Sequence, residues 1–511
     1  MNYKLIGRIL GKIMIVEGVL MLFPLLVSFV YGEDARFKIA FLVPILALAL
    51  IGGLLQIPTP KRTSLYQKEG FALVAMVWII MTIFGAIPFV INRDIPNYVD
   101  ALFEIMSGFT TTGASIITDI SVISHSSLFW KSFSHWIGGM GILVFVLIFI
   151  PESNDGSSMH LLRAESPGPQ VGKIVSKMKV TTRILYLIYF CLTVLEVIIL
   201  MFDSPIPGYE NEKFFFSLLA SFGSAGTGGF GFMPNSLEFF SPFSQYVVSI
   251  FLIIFGCNFA LYYLILIGKI KDVFRSEEFK TYIAIFISSV LMVFASLYSK
   301  LETLGYTIEE AFRHSLFQVS SLMTTTGFTS SDYNMWPMLA KTILVILMFA
   351  GAMAGSTAGG IKISRIVIAI KGAYVNIRKL INPRYVPKVK IEGKSLEEKT
   401  TNDVYSFITL YLFVLLISTL LLSLDPVNGT TSIISSDMGV YEVKHDFFTN
   451  FSASLSCISN IGPGFEAVGP YASFAGYNAF SKIVLIFTML IGRLEILPVM
   501  ILFTPRTWKK A

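Results

Sequence analysis

Four stretches of this chain set threonine, serine, asparagine and glycine side by side within otherwise apolar sequence. They read TTTGAS around Gly113, GTGGFG around Gly229, TTTGFT around Gly327 and SNIGPG around Gly462. None offers paired catalytic carboxylates, a His/Asp metal cluster or a nucleophile with its base, so the usual enzymatic constellations have no foothold. What these residues supply is main-chain oxygen. Glycine lets a carbonyl turn without Cβ strain, and carbonyls ringed about an axis replace the hydration shell of an ion. The chemistry expected is coordination of a dehydrated monovalent cation.

Each cluster needs an element that carries it to one axis. Ahead of each lies a short half-apolar segment, as in NYVDALFEIMSGFTTTGAS, YENEKFFFSLLASFGSAGTGGFGF, TIEEAFRHSLFQVSSLMTTTGFTS and VKHDFFTNFSASLSCISNIGPGF. Each segment is about 12–15 residues, too short to cross a bilayer and suited to a re-entrant helix. Asp100, Glu210, Glu212, Glu309, Glu310 and Asp446 lie at or near the starts, where acids favour a helix N-terminus. The opposite ends carry partial negative charge and attract cations. The arrangement recurs with a period of roughly 100–135 residues, an internal repeat. One cluster alone reads as a turn or a small-residue helix contact. Four copies, each after a short helix and before a spanning run, favour convergence on a shared axis, because non-helical backbone at membrane depth must be buried in protein or line a wet cavity.

Composition supports that setting. Of the 511 residues, 54% are apolar and 14% charged, and the mean hydropathy is +0.70. Many apolar runs are long enough to span, which takes about 20 residues, and the alternating pattern of a transmembrane β-barrel is missing. The expected class is an all-α polytopic membrane protein bounded by the lipid bilayer. Lys61, Arg62 and Lys68, then Lys173, Lys177, Lys179 and Arg183, then Lys269, Lys271, Arg275 and Lys280, then residues 362–399 mark alternate loops as cytoplasmic. The intervening loops are acidic, with Asp437 among the last of them, and Lys509 and Lys510 agree with both ends inside. The pI of about 8.9 therefore reports orientation, with no nucleic acid implied. Lys4, Arg8 and Lys12 before an apolar run resemble a signal peptide, but no small-x-small cleavage site follows and a retained helix is expected. The three cysteines and five histidines lack disulfide or metal spacing. Glu17 and Glu196 fall mid-span, where helix packing and an inner polar contact are equally open readings.

On these residues the chain resembles the Trk/Ktr/HKT superfamily of potassium transporters, most like the Trk-type membrane subunit of bacteria. The resemblance implies four pseudo-symmetric helix–pore helix–helix repeats around one pore, plus two extra N-terminal transmembrane helices. The division expected is 1–60 for those two helices, then repeats at 61–155, 156–275, 276–390 and 391–511. It implies a selectivity filter of Thr111, Thr112 and Gly113; Thr227, Gly228 and Gly229; Thr325, Thr326 and Gly327; and Asn460, Ile461 and Gly462. Carbonyls of Thr111, Thr112, Gly228, Thr325, Thr326, Asn460 and Ile461 would hold K⁺, the transported ion. Gly226, Gly228 and Gly231 compete with Gly229 for the register, which is chosen because Gly229-Phe230 aligns with Gly327-Phe328; Gly464 is the rival of Gly462. A glycine in every repeat goes with potassium preference in the family, although filter carbonyls alone leave sodium open.

Two further stretches match. FAGAMAGSTAGGIKISR lies in the second span of repeat three, which the family breaks into a gating loop at about 350–360. Gly351, Gly355, Ser356, Thr357, Gly359 and Gly360 would form it, against the alternative of a G-x-x-x-G packing ladder. Arg493, in LIGRLEILPVM, is a cation at bilayer depth that must face protein or water. The resemblance makes it an electrostatic barrier below the filter; an interhelical salt bridge is the alternative. The family also implies a homodimer and a cytosolic TrkA-like nucleotide-binding regulatory subunit, in a bacterial inner membrane with cytoplasmic N- and C-termini. GTGGFG formally matches a dinucleotide fingerprint but lacks a βαβ setting, so no nucleotide site is expected on this chain. The basic loops suit either partner docking or lipid headgroups. A proton- or sodium-coupled symporter is the rival function, disfavoured because the repeats run parallel.

Overall fold

The computed structural model describes residues 2–60, 66–141, 178–204, 206, 208–233, 235–382, 388–425, 430–435 and 439–504. Lys61, Arg62, Lys173, Lys177, Asp437, Lys509, Lys510 and the expected division at 155/156 lie outside the described residues.

Among the described residues six helices are long and apolar enough to cross a membrane, or seven if one bent pair counts as a span. The first crossing is Tyr3–Leu20 continued by Leu22–Val30, and Ala35–Leu54 returns beside it. Their contact depends on glycine: a Cβ on Gly11 would sit 2.6 Å from the Gly52 carbonyl, and one on Gly52 would sit 2.7 Å from that of Gly11. Such close backbones are how apolar helices associate without a hydrophobic drive between them.

Four units follow. Each opens with a long helix: Gln67–Ile91, Met178–Met201, Glu277–Tyr298 and Glu398–Leu422. Each then has a short one: Tyr98–Phe109, Lys213–Gly226, Ile308–Met323 and Phe447–Ser459, of 12, 14, 16 and 13 residues. The third is a little longer than the sequence suggests. Capping explains the starts. Asn97 accepts from Val99 N, Thr307 and Glu310 form a reciprocal capping box, and Asp446 accepts from Thr449 N.

A second apolar helix closes each unit, and in units two, three and four it is interrupted. Pro242–Phe255 and Phe259–Leu266 meet at 91°. Met338–Phe349 and Ile363–Ile381 are separated by a loop, and Ala479–Arg493 stops before Leu497–Phe503. In unit one, His125–Gly139 is described up to a turn at Met140. The sequence pointed to an interruption only in unit three. In unit two the signal was Asn258, whose side chain caps the new helix by accepting from Ala260 N. In unit four Glu495 and Ile496 both take positive φ. A two-stranded hairpin, residues 430–435 with 439–444, precedes the fourth short helix.

Candidate functional site

All four short helices end in the same way. The residue after the last turn adopts left-handed backbone: Thr111 (φ 53°), Thr227 (53°), Thr325 (54°) and Asn460 (56°). The next N–H then reaches five residues back, Thr112 to Ser107 at 2.8 Å, Gly228 to Gly223 at 2.9 Å, Thr326 to Ser321 at 2.8 Å and Ile461 to Ser456 at 2.9 Å. This closes each helix as a Schellman turn. One residue further, Gly113, Gly229, Gly327 and Gly462 again have positive φ, at 83°, 53°, 90° and 107°. Gly229 and Gly462 hold the same place in this repetition as Gly113 and Gly327; Gly226, Gly228, Gly231 and Gly464 do not.

The four glycines meet. A Cβ on Gly113 would fall 2.0 Å from the Gly228 oxygen; on Gly229, 2.2 Å from Thr326 O; on Gly327, 1.9 Å from Ile461 O; and on Gly462, 2.7 Å from Thr112 O. Each glycine thus abuts the carbonyl that precedes the glycine of the next unit, in the cyclic order one, two, three, four, one. Thr112, Gly228, Thr326 and Ile461 hold equivalent positions in this ring, and Thr111, Thr227, Thr325 and Asn460 form the tier before it. Thr227 therefore has the same main-chain place as its three counterparts, although its carbonyl was not among those expected to hold the ion.

The left-handed threonines cost roughly 1–2 kcal/mol each relative to ordinary backbone, and strain of this kind collects at functional sites. The side chains explain why glycine does not replace all of them. Thr325 Oγ1 accepts Gly359 N–H at 2.6 Å. Asn460 Nδ2 donates to Thr112 Oγ1 and to Met489 O, each at 3.0 Å. The hydroxyls of Thr110 and Thr112 lie 2.8 Å apart and those of Thr324 and Thr326 2.9 Å apart. All of these residues are buried.

Beneath the ring sits the interruption of unit three. Residues 350–362 form a closed loop rather than a glycine-laddered helix. Gly351 N donates to Ile361 O at 2.8 Å, Ile363 N donates to Ala352 O at 3.2 Å, and a Cβ on Gly351 would strike Gly359 O at 2.2 Å. Gly355 and Gly360 take the positive φ the turns require. Met353 N donates to Gly256 O at 3.1 Å and Phe259 N to Gly355 O at 3.1 Å, so the loop seats against the bend of unit two. Ser356 closes its own turn onto Met353 O, and Thr357 Oγ1 donates to Phe255 O. Gly359 approaches unit four so closely that a Cβ would sit 2.2 Å from Ser459 O. Glu278 accepts Ala354 N at 2.8 Å and Ser364 N at 3.1 Å.

Arg493 joins this loop to unit one. Its Nη1 donates to Thr357 O at 2.8 Å, and its Nη2 donates to Gly138 O at 2.5 Å and Gly139 O at 2.9 Å. Glu495, two positions on, pairs with Arg365 instead. Lys362 donates to Ala358 O and is buried. Glu278 and the Arg365–Glu495 pair went unremarked in the sequence as partners of the loop. The available signal was an ionisable residue within or beside an apolar run, which asks for a partner by default.

The arrangement stacks main-chain carbonyls suited to a bare cation, with a closed loop packed beneath them. Comparisons with known proteins agree with that architecture. The family profile described as TrkH: Cation transport protein matches residues 38–510. The chain is 33% identical to the Trk system potassium uptake protein TrkH of Salmonella typhimurium over 523 aligned residues, and likewise to TrkH of Escherichia coli K12, with all of each chain covered. The crystal structure of the potassium transporter TrkH from Vibrio parahaemolyticus superposes with a TM-score of 0.84 at 29% identity, again over all of both chains. With the ring, the four units and a family profile spanning nearly its whole length in agreement, this multi-pass membrane chain belongs to the TrkH family of cation transport proteins, and not to a family of enzymes.

Proposed function

We propose that the chain takes up potassium across the bacterial inner membrane through a channel-like filter. The observation that carries the proposal is the cyclic seating of each filter glycine on the next unit's carbonyl. It supports two tiers of main-chain oxygen at 111/227/325/460 and 112/228/326/461, which take over from water around K⁺. The acidic starts of the short helices face outward and their C-terminal ends face the path, favouring a cation. K⁺ leaves when the loop 350–362 and Arg493 move aside. Glycine at 113, 229, 327 and 462, and the potassium uptake named for the relatives, favour K⁺ over Na⁺.

The division into two N-terminal helices and four repeats belongs to the same reading, as do cytoplasmic termini, a homodimer and a TrkA-like cytosolic nucleotide-binding subunit that sets the loop. The basic residues within 362–399 are the docking surface assigned to that subunit. The test is Rb⁺ against Na⁺ flux of purified protein in proteoliposomes, with and without the cytosolic subunit. Saturating downhill Rb⁺ flux with Na⁺ disfavoured is expected. Flux strictly coupled to a proton or sodium gradient would replace this reading with a symporter.

A further inference from the structure

Behind the ring in unit one lies an ion pair with no solvent access. Lys131 Nζ is 2.6 Å from Glu104 Oε1, and the two side chains are 1% and 0% exposed. Glu104 stands on the first short helix and Lys131 on His125–Gly139. Together they hold the strand that leaves Gly113. Ile116 N donates to Glu104 Oε2 at 2.9 Å, Ser115 Oγ donates to Glu104 Oε1 at 2.9 Å, and Lys131 Nζ donates to Ser115 Oγ at 3.1 Å. The same ammonium lies 4.1 Å from the centre of the Phe230 ring, beside Gly229 of the next unit.

The other units show what the charge adds. Ile116, Ser330 and Phe465 each sit three residues beyond a filter glycine. Ser330 N donates to Gln318 Oε1 at 3.3 Å and Phe465 N to Ser452 Oγ at 3.0 Å. Gln318 occupies the place of Glu104, nine residues before its glycine. In unit two that place is Ala220, and Phe232 packs instead among Phe216, Phe240 and Phe328. A neutral amide or hydroxyl thus suffices to clasp the strand. A buried ion pair is a poor way to gain stability, because desolvation offsets the attraction. Its presence in one unit calls for a role in the field at the filter.

We propose that Glu104 and Lys131 are a positioning pair that sets ion preference, fixing the strand after Gly113 and keeping the net charge behind it at zero. The inference rests on the filter reading. Removing only the lysine charge leaves an anion behind the carbonyls. A stronger anionic field favours the smaller cation, so Na⁺ gains over Rb⁺. Removing only the glutamate charge leaves a cation that repels both ions. Neutralising both restores the balance, and the side-chain amide that Glu104→Gln introduces repeats the clasp of Gln318.

The experiment is Rb⁺ and Na⁺ uptake per folded molecule in proteoliposomes for Lys131→Met, Glu104→Gln, the double variant and Gly113→Ser. Lys131→Met is expected to lower the Rb⁺/Na⁺ ratio about tenfold, and Glu104→Gln to lower uptake of both ions about tenfold. The double variant returns both quantities to within about threefold of the parent. Single variants that keep the parental ratio and uptake overturn the proposal. So does a double variant that remains as impaired as either single one. If the single variants do not fold, Ser115→Ala decides, since it keeps both charges but cuts their hydroxyl link to the strand: a lowered ratio supports the proposal and an unchanged one overturns it. Gly113→Ser separates the two levels. A ratio that moves there but not with the pair rejects only the positioning role, whereas one that stays fixed at Gly113→Ser rejects the filter itself.

Discussion

Under the proposed function Arg493 latches the loop of unit three to unit one, and its removal has a size that follows from the geometry. The 2.8 Å bond to Thr357 O reaches the loop, and those to Gly138 and Gly139 anchor the guanidinium to unit one. A hydrogen bond from a charged donor contributes about 1.5–3 kcal/mol. Losing it in Arg493→Met shifts the ratio of open to closed loop by roughly 10- to 150-fold. Where the closed loop limits flux, basal Rb⁺ uptake into proteoliposomes without the cytosolic subunit rises by that factor. The positive charge itself also opposes a cation, and Arg493→Lys separates the two effects. Lysine keeps the charge but presents a compact ammonium that cannot span Thr357 and the two glycine carbonyls at once. A latch predicts raised flux in both variants, smaller with lysine. If methionine raises flux and lysine leaves it at the parental level, the charge acts alone and the latch is refuted. If Arg493→Met yields folded protein with the parental Rb⁺/Na⁺ ratio and no rise in flux, neither effect operates.

Two other perturbations test the framework. Gly327→Ala puts a methyl group 1.9 Å from Ile461 O at a φ of 90°, and is expected to abolish Rb⁺ uptake; Gly53→Ala meets nothing within 4 Å inside a helix and should leave uptake intact while raising stability by about 0.5–1 kcal/mol. Equal losses in the two variants, read from uptake and melting temperature, would contradict the close packing of the ring. At the start of the third short helix, the Thr307 N–H and then its hydroxyl hold the Glu310 carboxyl below the usual range. A depressed folded-state pKa stabilises the protein above the ordinary glutamate range and loses that contribution as pH falls through the depressed value. Glu310→Gln keeps the cap but loses the charge, and should cost about 0.3–1 kcal/mol at neutral pH and flatten the acid limb of melting temperature against pH; parallel curves for the two proteins would refute the contribution of the Glu310 charge.

What was legible in the sequence is what the backbone demands locally. Gly113, Gly229, Gly327 and Gly462 had to be glycine because the chain turns there with positive φ against a neighbour's carbonyl. The short helices were visible from their length and from the acids at their starts. A break at about 350–360 was visible because so many small residues disfavour a straight helix. The bend at residues 256–258 was not, since two apolar helices joined by a three-residue break read as one span. Partners were the least legible part. Arg493 finds carbonyls 136, 354 and 355 positions away, and main-chain oxygens have no sequence identity to match. Lys131 and Glu104 were open to notice as charges in apolar surroundings, but the hold of Glu104 on Ile116 N and of Lys131 on Ser115 Oγ lies in contacts that no spacing encodes.

The units share a backbone and differ where it matters for control. Unit one carries the buried ion pair, unit two the 91° bend, unit three the closed loop and unit four the arginine. Strict fourfold symmetry would place four arginines around one axis, and like charges at close range in a low dielectric repel strongly. They would bar every cation and force one another outward, so none would reach a loop. A single arginine can instead bond carbonyls from two other units, and a single loop can fill the space beneath the ring without meeting copies of itself. Fusing the units into one chain frees each to diverge below the filter while the ring above keeps its fourfold oxygens. The asymmetry that a sequence repeat conceals is therefore what lets one loop and one arginine meet beneath the ring.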